Sequence, residues 1–94
     1  MEQSITLNVP TNLSPEDWGK VAAVFRTLDG WLGDPHGAYW YGREGDARYI
    51  CASAEPSGLL LCGQVESSLW CSWLTVLCAR LSLALGGEVY DAEM

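Results

Sequence analysis

The sequence predicts an α+β domain of order β-α-β-β-β-α-β, a mainly antiparallel sheet with both helices packed on one face. Three observations carry that prediction. A helix-capping signal at Ser14 follows a short alternating strand, compact turns divide residues 38–65 into three strands, and a long apolar run spans Ser67 to Leu85. A sheet that follows one helix and precedes another is covered most economically by placing both on the same side. The order is close to a ferredoxin-like split β-α-β arrangement with one extra strand.

The first strand alternates Ile5, Leu7 and Val9 against Thr6 and Asn8, so one face is buried, and Pro10-Thr11-Asn12 ends it. In Leu13-Ser14-Pro15-Glu16-Asp17-Trp18, Ser14 can cap a helix, Pro15 suits its first position, and two acids favour its positive end. Asp17 stands where a capping box carries Glu or Gln, and Leu13 and Trp18 are spaced as a hydrophobic staple. Trp18, Val21, Ala22, Phe25 and Leu28 then recur at helical spacing, with Gly30 placed to cap the end. Residues 31–37 read as a loop.

Residues 38–42 form the next strand around Tyr39, Trp40 and Tyr41, and Arg43-Glu44-Gly45-Asp46 turns the chain. Residues 47–54 and 59–65 are strands joined by Glu55-Pro56-Ser57-Gly58, a composition that type I turns prefer. A turn centred between Pro56 and Ser57 sets Cys51 opposite Cys62. Facing thiols can be bridged or form a redox pair; the simpler reading is two small core residues, since free cysteine is among the most buried types. Ser67 to Leu85 is apolar nearly all round, with a weak polar stripe at Ser68, Ser72, Thr75 and Ser82. Its apolar part, Leu69 to Leu85, is at the short end of the roughly 17–25 residues a membrane span requires, and it contains Arg80, so a helix covering the sheet is expected. Gly86-Gly87 stops it, and residues 88–92 are read as a last short strand.

Ninety-four residues make a single domain, 1–94. Twelve acids against five bases give a net charge of −7, which attracts basic partners and repels nucleic acid and anionic membrane; it also keeps a rather apolar chain in solution. The bases Lys20, Arg26, Arg43, Arg48 and Arg80 are scattered and form no phosphate-tracking stripe. The first residues do not resemble a leader, so a cytoplasmic location with reduced thiols is expected. Cys51, Cys62, Cys71 and Cys78 include no CxxC pair, and the single histidine, His36, lies in a Gly/Pro-rich loop, so no metal and no cofactor are expected. His36 with Asp34 or a cysteine, and Glu55 beside its turn, are the only pieces of an acid–base site, and neither sits in a motif with known mechanics; no enzyme is expected.

Two features exceed what a core of this size demands. Trp31, Tyr39, Trp40 and Tyr41 crowd one stretch, with Asp34, Glu44 and Asp46 nearby, and this set is the expected partner-binding surface. The competing reading sends Trp31 and Trp40 into the core. The second feature is the all-round apolar helix, whose Trp70, Trp73 and Leu77 are the expected contacts of a homodimer unless the first helix and the 31–37 loop cover that flank.

Trp40-Tyr41-Gly42, Glu55-Pro56-Ser57-Gly58-Leu59, Trp70 with Trp73, and the ending Gly87-Glu88-Val89-Tyr90-Asp91-Ala92-Glu93 complete the picture of a tiny acidic domain rich in aromatics. In type it resembles bacterial immunity proteins and phage-encoded inhibitors such as anti-CRISPR proteins. That resemblance implies inhibition by stoichiometric binding to a basic site on a toxin or nuclease, and it carries over no functional residue. The alternative is a homodimeric ligand-binding or structural domain without catalysis.

Overall fold

A computed structural model describes residues 2–33 and 37–92. Its elements are β1 (Glu2–Leu7), α1 (Pro15–Thr27), β2 (Ala38–Trp40), β3 (Tyr49–Glu55), β4 (Gly58–Gln64) and α2 (Ser67–Leu85). The strands form one sheet in the order β1-β4-β3-β2, antiparallel at every pairing. The fold is α+β, as the sequence predicts.

Local chemistry sets the helix starts. Ser14 has extended backbone, and its hydroxyl accepts the Asp17 N–H at 3.1 Å. Pro15 opens α1 with Glu16 and Asp17 in the first turn. The far end differs from expectation. Leu28 already leaves the helix in an extended conformation, so Gly30 is not its cap. Gly30 instead adopts φ +87°, and a Cβ there would come within 2.7 Å of the Tyr41 ring. The glycine is required by a close approach, not by helix termination. At the end of α2, Gly86 does act as the cap, at φ 74° with its N–H bonded to the Ser82 carbonyl.

The β3–β4 hairpin has the expected register. Glu55 pairs with Gly58 across Pro56-Ser57, and Cys51 faces Cys62. Strand parity then separates two faces. Ile5, Leu7, Trp40, Ile50, Leu59 and Leu61 belong to one continuous core with the inward residues of both helices. α1 supplies Val21, and α2 supplies Trp70, Trp73, Leu77 and Leu81 at helical spacing. Among the described residues α2 is the one helix long and apolar enough to cross a membrane by length and composition; in this fold it covers the sheet.

Trp40 is the centre of that core, with no exposed surface. Its ring meets Phe25 edge-on at 5.1 Å and Trp73 at 4.8 Å, and tilts against Trp31 at 5.4 Å. Its indole N–H donates to the Phe25 carbonyl at 3.1 Å, which satisfies the one polar atom buried with it. The expectation of Trp40 as a surface anchor is therefore corrected. So is that of Trp70, Trp73 and Leu77 as dimer contacts, since all three are buried against the sheet and α1.

The last predicted strand is reduced to one bridge, Leu7 to Asp91. β1 ends at Leu7, and the Asn8 side chain takes over the pairing: its amide donates to the Glu88 carbonyl and its oxygen accepts the Tyr90 N–H. This segment runs along the free edge of β1, so β1 lies between β4 and residues 88–92, as in a split β-α-β unit. The other half of a ferredoxin-like pattern is absent. Two strands, β4 and β3, separate β1 from β2, which therefore run in opposite directions.

Candidate functional site

The face of the sheet turned away from the helices is built by three cross-strand rows. Tyr39, Cys51, Cys62 and Ser4 form the middle row, Tyr49, Gln64 and Glu2 the second, and Ser53, Leu60 and Thr6 the third. A solvated sheet face normally carries polar side chains. This one holds two tyrosines, a leucine and two thiols, with Tyr39 and Leu60 half-exposed and Tyr49 buried.

The charges of carboxylates act on the thiols. Burial pushes the Cys62 thiol above the ordinary range, and the charges of Glu2, Glu44 and Glu55 push it further. Cys51 is raised by burial, then by Cys62 and Glu44, against a backbone hydrogen bond from Cys62 that opposes the rise. Tyr49 is raised by burial and next by Glu2. All four cysteines are free, and burial also raises Cys78. Thiols held protonated are weak nucleophiles at neutral pH. The Glu55 carboxylate accepts a hydrogen bond from the Ser53 hydroxyl. Among the described residues no three His, Cys, Asp or Glu side chains gather as metal ligands.

The predicted surface residues are divided by the fold. Tyr39 belongs to the open face, and exposed Glu44, in the turn that follows, acts on its thiols through its charge. Trp31 is half-buried on the helix side against Trp40. Tyr41 sits at the sheet edge in the left-handed region, φ 68°, with its hydroxyl donating to Asp29 Oδ2 at 3.0 Å and Arg48 stacked 5.4 Å from its ring centre. Burial raises its phenol pKa, and the Asp29 bond adds to the rise. Asp46 closes its own turn by accepting the Arg43 N–H at 2.8 Å. The exposed 43–48 turn has Arg43 and Arg48 alongside Glu44 and Asp46, so it is close to neutral as a unit. Asp34 and His36 lie outside the described residues.

Glu2 and Glu55 share the sheet with the paired thiols, and the sequence reading did not include them in its candidate surface. The signal was available: the register that opposes Cys51 to Cys62 gives Glu55 the same parity as Cys51, and Glu2 shares parity with Ser4 and Thr6. No family model, curated protein or solved structure matches the chain.

Proposed function

We propose that this chain is a stoichiometric protein-binding inhibitor, of the immunity or anti-CRISPR kind, that uses the open face of its sheet to block a basic site on a toxin or nuclease. One observation carries the reading: an uncovered sheet face that presents Tyr39 and Leu60 and whose Cys62 thiol feels the charges of Glu2, Glu44 and Glu55. Such an arrangement matches the anatomy of an interface, with apolar and aromatic groups at the centre and charge at the rim. The rim acids steer a basic partner and make its association salt-sensitive. Catalysis plays no part, and protonated free thiols in the middle of the face fit a reducing cytoplasm.

A photo-crosslinking residue at Leu60, with one at Leu83 on the opposite side for comparison, tests this in the source cell. Leu60 should yield a 1:1 adduct with a basic protein. With that protein purified, Tyr39→Ala should weaken binding by about 2 kcal/mol. Converting Glu2, Glu44 and Glu55 together to Gln should slow association at low salt and matter little at high salt. Adducts from Leu83 alone, or binding indifferent to both sets of substitutions, would reject the reading.

A further inference from the structure

The outer face of the helical layer differs in charge from the rest of the chain. α1 carries Lys20 and Arg26 with Glu16 and Asp17 in its first turn, and α2 carries Arg80 and no acid. The remainder of the chain holds the other ten acids against two bases, Arg43 and Arg48. The helical layer is thus the least acidic part of a strongly acidic protein, and the groove between the helices is lined by Lys20 and Arg80 and by no acid.

On that side α1 and α2 enclose a shallow groove of about 730 Å³. Ala23 and Val24 of α1 and Leu83 and Ala84 of α2 supply its apolar surface. Leu83 is 86% exposed, and Val76, two turns earlier on α2, is exposed as well. A cation stands on each helix at the groove. Lys20 makes only an exposed pair with Asp17 at 3.5 Å, an interaction too weak to neutralise it. Arg80 is fixed across the helices by one guanidinium nitrogen, which donates to the Thr27 carbonyl at 2.9 Å and hydroxyl at 3.0 Å.

We propose that this groove docks an acidic amphipathic helix of a partner protein. Apolar residues at helical spacing would lie along Ala23, Val24, Leu83 and Ala84, and flanking carboxylates would meet Lys20 and Arg80. Charge selects this occupant. A second copy docked helix to helix would bring Lys20 and Arg80 against their own counterparts. A planar membrane would touch the helix crests and leave the groove floor empty. The groove is also too open to enclose a small molecule. This inference stands apart from the sheet-face reading, since the two surfaces lie on opposite sides of the sheet.

The probe is a fluorescein-labelled synthetic helical peptide with leucines at positions i, i+4 and i+7 flanked by glutamates, and the control has every glutamate replaced by lysine. Fluorescence anisotropy with the full chain should show saturable 1:1 binding of the acidic peptide and at least about tenfold weaker binding of the basic one. Leu83→Asp and Lys20→Glu change exposed side chains, so circular dichroism should show an intact fold while each weakens the acidic peptide by about tenfold or more. Amide shift changes should fall on residues 20–27 and 76–84. Equal binding of both peptides, no binding of the acidic one at millimolar concentration, shift changes confined to the sheet face, or a homodimer dispersed by Leu83→Asp would each overturn the proposal.

Discussion

Neighbouring aromatic residues in β2 have opposite fates. Trp40 is wholly buried at the junction of sheet, α1 and α2, while Tyr39 belongs to the face without helices. Trp40→Ala should cost about 3–5 kcal/mol in urea unfolding, the usual loss for truncating a large core aromatic, and Tyr39→Ala should cost well below that. An unchanged midpoint for Trp40→Ala would remove it from the core. Titratable groups make a second prediction. Tyr41, Tyr49, Cys51, Cys62 and Cys78 all have raised pKa values, burial being the first cause in each. Above roughly pH 8.5, where an ordinary thiol ionises, the unfolded chain releases protons that the folded chain retains. The folded state then binds more protons than the unfolded one, so stability falls as pH rises. Melting temperature should be level from neutral pH up to that point and decline above it, through the thiols first and the tyrosines next. Replacing Cys51 and Cys62 by Ala should flatten the first part of the decline.

At the scale of elements, glycine decides how closely α2 approaches the sheet. A Cβ on Gly63 in β4 would lie 2.8 Å from the Trp70 ring and 3.1 Å from both the Ile50 side chain and the Tyr49 carbonyl. Gly63→Ala should therefore destabilise by about 1–3 kcal/mol, through overpacking between β4 and α2. Gly19 offers the contrast. It lies within α1 with nothing within 4 Å of its missing Cβ, so Gly19→Ala should stabilise by about 0.5–1 kcal/mol through helix propensity alone. Chemical denaturation of the two variants reads both signs directly. If Gly63→Ala is neutral, α2 is free to shift outward, and the tight seat of Trp70 on the sheet is not what holds the layer.

At the scale of the molecule, charge divides unevenly: the charges of Glu2, Glu44 and Glu55 act on the Cys62 thiol of the open sheet face, while the groove between the helices is lined by Lys20 and Arg80 and by no acid. With Trp70, Trp73 and Leu77 turned inward and like charges on the outer helical face, the isolated chain should sediment as a monomer at micromolar concentration. A dimer that survives Leu83→Asp would point to the sheet face instead. The cap at Ser14, the span Ser67–Leu85 and the Cys51–Cys62 register were all legible in the sequence, because each depends on residues close along the chain: a side chain three residues from the N–H it caps, an apolar run closed by Gly86, a two-residue turn that counts outward in pairs. Tertiary structure alone decided which of Tyr39, Trp40 and Tyr41 turns inward, since three consecutive aromatics leave the phase of the alternation unmarked. It alone reduced residues 88–92 to one bridge, through an Asn8 side chain some eighty residues away. Strand pairing likewise brought Glu2 and Glu55 from distant stretches into one sheet with the paired thiols; local chemistry carries no record of which strands will become neighbours.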